Sequence, residues 1–255
     1  MTDTINVFDI LKEIPPRLRD IGDSIQSALT IVDSASGKDI KLGLDRMLHE
    51  KITRMLQSLN DFPVLSEEEK TTLDFTQKTK LQWIIDPLDG SLNHFRGIPF
   101  CCISIALWKG QEPLMGVIYD YNLKEMFTGV VGKGAWLNDK PISSSNLRDV
   151  NQAVLCTGFP SYRDYKEESL RQFISHIQCW KKVRLLGSAA LSLAYVACGR
   201  VDGYIEEDIR IWDVAAGLAI VKAASGEVYC NSTRRPNFVT AAATNGKISI
   251  GEIVK

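Results

Sequence analysis

The sequence predicts a mixed α/β protein, with an antiparallel N-terminal half and a C-terminal half in which strands and helices alternate. Apolar segments at 100–108, 114–119 and 125–131 follow one another through short connections holding Gly110 and Asn122, the pattern of an antiparallel meander. Beyond a polar stretch at 138–149, strand-like and helix-like segments take turns, as in an α/β sheet. With 255 residues, 45% of them hydrophobic, the chain can bury a core of that size. The polar stretch divides it into residues 1–138 and 139–255.

The elements follow in order. Leu18, Ile21, Ile25, Leu29 and Val32 recur at helical spacing, and Pro15 and Pro16 are expected to open that helix after a shorter turn. Residues 32–39 include Ser34, Ser36 and Gly37 and read as a flexible loop. A second helix carries Leu44, Met47, Leu48, Ile52, Met55, Leu56 and Leu59 on one face and stops at Asn60. A short strand at 62–65 leads into Glu67, Glu68 and Glu69, and 70–80 reads as a polar loop. Gly132-Lys133-Gly134 lacks the full phosphate-loop pattern and reads as a turn. In the second half, strands are expected at 153–157, 183–186, 203–206, 227–230 and 238–242. Helices are expected at 164–180, 188–198 and 212–224.

The stretch around which these elements are organised is Trp83-Ile84-Ile85-Asp86-Pro87-Leu88-Asp89-Gly90-Ser91-Leu92-Asn93. Three apolar residues form a buried strand that ends at a carboxylate, and a second carboxylate follows three residues later. Pro87 stiffens the turn, Gly90 permits a tight bend, and Ser91 is suited to cap a following helix whose free N–H groups could hold an anion. Two fixed carboxylates beside an anion cradle suit Mg²⁺ and a phosphate. A bare Asp-x-x-Asp is more often an acidic turn after a core strand, so the weight rests on the longer string.

That string resembles the first signature of the inositol monophosphatase family. The second signature is matched by Trp212-Asp213-Val214-Ala215-Ala216-Gly217, and an upstream acidic pair by Glu67 and Glu68. The three blocks stand in family order at about family spacing. The resemblance implies a layered αβαβα sugar-phosphatase sandwich and a Mg²⁺-dependent phosphate monoester hydrolase using two or three ions and a metal-activated water. It places Glu67, Asp86, the Leu88 carbonyl, Asp89 and Asp213 as metal ligands, and the Gly90 and Ser91 N–H groups as phosphate donors. Ser91 with Asp45 would orient the attacking water, and Glu67 completes the catalytic group. Gly187, Ser188, Ala189, Glu206 and Asp213 would meet the substrate. Without the resemblance, Gly187–Ala189 would read as an ordinary helix start, Asp213 as a cap, and Glu206 as one of three solvated acids.

The resemblance implies inositol monophosphate or a related sugar phosphate as substrate, lithium sensitivity and a homodimer. Alternatives are a 3′(2′),5′-bisphosphate nucleotidase, a fructose-1,6-bisphosphatase, or a regulatory, RNA-associated protein that keeps the fold. The chain departs from the family at Lys41 and Leu42, between Asp39 and Asp45, and Lys38 is the counterpart of a loop lysine. A net charge of −1 and a pI near 6.3 give no basic excess for nucleic acid. No secretory signal or membrane span is visible. Six scattered cysteines without a Cys-x-x-Cys pair fit free thiols in a reducing cytoplasm. His49, His94 and His176 suggest no zinc site.

Overall fold

Two sheets face each other across a pair of buried helices in the computed structural model, which describes residues 6–25, 32–36, 39–69, 79–159, 166–252 and 254. The larger sheet has seven strands in sequence order: β3 (Val64–Ser66), β4 (Leu81–Asp89), β5 (Cys102–Lys109), β6 (Glu112–Asp120), β7 (Glu125–Val130), β8 (Gly134–Leu137) and β9 (Lys140–Ile142). β3 runs parallel to β4, and every later neighbour is antiparallel. The meander expected at 100–131 is therefore present and continues through two further strands. Those two escaped the sequence reading because they are short and only partly buried, so apolar periodicity is weak in them.

The smaller sheet comprises β10 (Val154–Thr157), β11 (Lys182–Arg184), β12 (Gly203–Arg210), β13 (Glu227–Ser232) and β14 (Phe238–Thr244), in the order β11-β10-β12-β14-β13. β10 is parallel to both its neighbours, and β14 is antiparallel to β12 and β13. Between the sheets lie α5 (Ala189–Ala197) and α6 (Ile211–Ala223). Both are apolar around most of their circumference, as a helix covered on all sides must be. Gly116 of β6 lets α6 approach closely: a Cβ there would strike the backbone of Ala216.

On the outer face of the larger sheet, α1 (Val7–Asp23) and α2 (Gly43–Gln57) cover a second apolar cluster that includes Trp83, Ile85 and Ile103. A smaller cluster around Trp180, Leu155 and Ile248, with Ile177 of α4 (Glu167–Ile177), covers the other side of the five-stranded sheet. The order of layers is thus αβαβα, as the family resemblance implies. Burying Trp83 and Trp108 completely contributes roughly 1.5–3 kcal/mol each or more. Their indole N–H groups remain paired, to Asn60 Oδ1 at 3.0 Å and to the Ala215 carbonyl at 3.1 Å.

Three expectations need correction. Pro15 and Pro16 do not open α1; they lie inside it, and the helix begins instead at the Asn6 cap, whose side chain accepts from Phe8 N. The prolines remove two backbone donors, yet Leu11 and Ile14 before them and Leu18 and Gly22 after them bury one continuous face, which holds the helix together. Residues 32–39 are not a loop. β1 (Val32–Ser36) and β2 (Asp39–Leu42) pair antiparallel, with Ser36 opposite Asp39. Their sequence has no regular apolar alternation to betray the ladder. Lys38 lies outside the described residues, as does most of the segment 70–80. Finally, the central strand does not end at Asp86 but runs on to Asp89 with a shift of register between them.

Candidate active site

The register shift in β4 is the first device that builds the site. Pro87 cannot donate to a ladder, so the strand bulges there, and both Asp86 and Asp89 turn toward the gap between the two sheets. The Asp86 carboxylate accepts from Leu88 N at 3.0 Å. Gly90 follows with φ +84°, where a side chain would press on the Phe100 and Gly187 carbonyls. The chain then enters the short helix α3 (Ser91–Phe95). Ser91 Oγ donates to the Leu88 carbonyl at 2.8 Å. Asn93, which closes the sequence motif, has no chemistry here: its amide donates to Phe100 O and Leu186 O, both at 2.8 Å, and ties α3 to the start of α5.

The second device is the pair of buried helices, whose N-termini open on the same gap. Ser188 caps α5 by accepting from Leu191 N, and its hydroxyl donates to the Asp89 carboxylate. Ala190 N donates to the same Asp89 oxygen at 2.8 Å. Asp213 stands in the first turn of α6. Glu67, directly after β3, and Glu206, in β12, open on the gap as well.

These residues line one cavity of about 320 Å³. Glu67, Asp86, Leu88, Asp89, Gly90, Ser91, Gly187, Ser188, Ala189, Glu206 and Asp213, all singled out from the sequence, contribute to its wall. Asp45 does not; it is buried in the first turn of α2. Thr157, Gly158, Phe159, Ser192, Asp208, Ile209, Arg210, Trp212 and Phe238 also line the cavity. Most of these were not foreseen. A signal existed for some: Thr157–Phe159 follow the C-terminal end of a parallel strand, where open α/β sheets bind ligands.

The electrostatics of the wall are unfavourable for the protein alone. Asp86 and Asp89 are only 2% and 7% exposed. Burial pushes the Asp86 carboxyl well above the usual carboxylate range, and the charges of Glu67, Asp89 and Asp213 push it further. Asp213 is raised in the same way, first by burial, then by Asp89, Glu67 and Glu206, with Arg210 opposing. Asp89 is pushed up to about 6 by burial; hydrogen bonds from Ser188, Ala190 and Ala189 limit the rise. Among the described residues, no three Asp, Glu, His or Cys side chains are gathered tightly enough to hold a cation as they stand. Ser188 and Ala190 N, at the α5 N-terminus, hold the Asp89 carboxylate to the protein. The donors are nonetheless all oxygen, the set that hard divalent cations take. A cation would offset the burial and the like charges that raise these pKa values, so the residues fit Mg²⁺.

Comparison with known proteins gives the family and the fold. The model of the Inositol monophosphatase family matches residues 19–248. The chain is 40% identical over 195 residues to Nus factor SuhB of Xylella fastidiosa, covering 76% of this chain and 70% of that protein. It is 42% identical over 171 residues to Inositol monophosphatase 3 of Solanum lycopersicum, covering 65% of this chain and 64% of that one. Among solved structures, inositol monophosphatase from Anabaena (Nostoc) sp. PCC 7120 superposes with a TM-score of 0.79 at 32% identity, over 95% of this chain and 93% of that chain. Family match, fold and the acids around one cavity agree: the chain belongs to the inositol monophosphatase family.

Proposed function

We propose that this chain is a Mg²⁺-dependent phosphatase that hydrolyses inositol monophosphate or a related sugar phosphate. The observation that carries the reading is the convergence of Glu67, Asp86, Asp89 and Asp213 on one cavity. There, burial holds all three aspartates, and the charges of neighbouring acids hold Asp86 and Asp213 further, in a state that a cation would relieve. Glu67, Asp86, the Leu88 carbonyl, Asp89 and Asp213 are the residues that would hold the ions. Mg²⁺, when bound, supplies positive charge to the phosphoryl oxygens and a more acidic water.

The remaining roles fall to the chain itself. Gly90 and Ser91, at the start of α3, line the cavity, and their backbone N–H groups would receive the anion. Ser91 Oγ donates to the Leu88 carbonyl at the cavity wall, and its hydroxyl would orient the attacking water. Glu206 is 8% exposed, and a Cβ on Gly158 would collide with its carboxylate; its place is to accept hydrogen bonds from substrate hydroxyls.

A second reading has one observation in its favour: the relative from Xylella fastidiosa is named a Nus factor. A regulatory protein that only retained the fold would have no need of the complete set of acids. The test is release of free phosphate from inositol, hexose, heptose and nucleotide monophosphates, with Mg²⁺ and with excess chelator. The phosphatase reading expects turnover of at least one polyol ester that chelator abolishes. No turnover of any ester, or undiminished turnover in chelator, would overturn it.

A further inference from the structure

Gly90 and Ser91 line the cavity, yet packing does not hold the helix they open. α3 is a single turn of five residues with no buried side chain, and its two large apolar residues, Leu92 and Phe95, are 53% and 42% exposed. One turn is too short to persist on its backbone hydrogen bonds alone. Its other three side chains supply polar tethers instead. Ser91 reaches back to β4, and Asn93 reaches the start of α5. The third tether is His94, whose Nδ1 lies 2.9 Å from the hydroxyl of Tyr121, directly after β6.

The far end of this tether is well fixed. Tyr121 is buried, and its hydroxyl also lies 2.8 Å from Cys101 Sγ, to which the Asn122 amide donates at 3.4 Å. The Asp120 carboxylate accepts from Asn122 N at 2.9 Å and from Leu123 N at 3.0 Å, which braces the turn that carries the tyrosine. At the near end, His94 N donates to the Gly90 carbonyl at 3.0 Å. A chain of hydrogen bonds thus runs from a strand inside the seven-stranded sheet to the cavity wall. Burial lowers the His94 imidazole below its ordinary 6.5, so the ring is neutral at pH 7 and one of its nitrogens can accept.

We propose that His94 is a positioning residue for phosphate: through Tyr121 it anchors α3 to β6, and so sets where the Gly90 and Ser91 N–H groups meet the anion. The inference rests on the reading above that these two groups receive phosphate, and it assigns the residue that holds them in place. His94 itself touches neither phosphate nor cation in this role. An anion is held by short, directional bonds, so a helix free to tilt loses affinity and rate without unfolding the protein.

The test measures the affinity for inorganic phosphate by titration calorimetry at saturating Mg²⁺. It compares the wild type with His94→Phe, His94→Asn, Tyr121→Phe and the double variant His94→Phe/Tyr121→Phe. Phenylalanine keeps a ring edge-to-face with Tyr121, where the centroids are now 6.0 Å apart, but has no nitrogen; the asparagine amide can stand where Nδ1 stands. Phosphate affinity should fall about three- to tenfold in His94→Phe and in Tyr121→Phe, the loss of one hydrogen bond. The double variant should be no weaker than Tyr121→Phe, because both changes remove the same bond. His94→Asn should bind within about twofold of the wild type, a rescue that a merely space-filling role would not give. The Tm of His94→Phe should stay within about 2 °C of the wild type, because α3 buries no side chain. Affinity unchanged in His94→Phe, an equal loss in His94→Asn, or additive losses in the double variant would overturn the proposal. No binding of phosphate by the wild type would overturn the phosphatase reading and this inference with it. The expected pattern of affinities in a protein that hydrolyses no ester would support this inference and overturn the phosphatase reading alone.

Discussion

Helix α6 passes through two environments, and the contrast between them explains how the molecule divides its tasks. From Val214 to Val221 every residue is buried between the two sheets, with small side chains and Gly116 allowing close approach. One residue earlier, Asp213 faces a cavity in which the acids repel one another. The body of the helix stabilises the fold, and its first turn works against that stability in the absence of a cation. A site whose residues disfavour each other can persist only because the packed elements carrying them are held elsewhere.

The largest expected effect comes from breaking the first turn. Asp213→Asn removes a negative charge from the cavity but leaves its shape. Turnover should fall by about a thousandfold or more if the residue holds a cation, while cation-free protein should unfold a few degrees higher. Near-normal phosphate release would show that Asp213 is only a helix-start residue. Breaking the body should act in the opposite sense on stability. Gly116→Ala forces a methyl group into the Ala216 backbone, and overpacking against an atom that cannot move aside should cost about 2–3 kcal/mol. That corresponds to a fall in Tm of about 4–12 °C, measured by thermal unfolding. A Tm within a degree of the wild type would mean that the contact between α6 and β6 is looser than the geometry implies.

A smaller effect sharpens the contrast within the cavity. Glu206→Ala should raise KM for a polyol ester by about 10–100-fold, the loss of one charged hydrogen bond of roughly 1.5–3 kcal/mol. The same change should weigh less on p-nitrophenyl phosphate, which has no hydroxyls to hold. Equal losses on both esters would give Glu206 a structural or cation-linked role. Ser91→Ala should be milder still, about tenfold in kcat, because it disturbs orientation and not charge. A loss as large as that of Asp213→Asn would contradict the role given to the Ser91 hydroxyl.

Much of this arrangement was legible in the sequence because period and burial coincide in it. The apolar strand 83–85, the helices that became α5 and α6, and the alternation of the second half all leave strong patterns. The acids Asp86, Asp89 and Asp213 stood out through their signatures, and the fold does bring them to one cavity. What stayed hidden depends on contacts made across the chain. The hairpin of β1 and β2 has no apolar periodicity, and α1 persists through two prolines because both of its halves dock on the same sheet. Asp208 reads in sequence as the third of three acids in a row; only a slip in the pairing of β12 with β14 gives it a place in the cavity wall.

The central claim is that the cavity acids are held against their own repulsion until a cation arrives. The most direct test is the Tm of chelator-treated protein between pH 5 and 8, with and without added Mg²⁺. The Asp89 carboxyl rises from its ordinary value of 3.8 to about 6 in the fold. The folded state therefore keeps a proton that the unfolded chain releases. The stability this provides is complete below about 3.8 and is lost as pH rises through about 6. Asp86 and Asp213, raised further, extend the loss in the same direction to higher pH. Cation-free protein should thus lose Tm steadily from pH 5 to 8, and Mg²⁺ should restore it, with a larger gain at pH 8 than at pH 5 because the ligands are then ionised. A Tm flat across that range, with no response to Mg²⁺ at pH 8, would contradict the account.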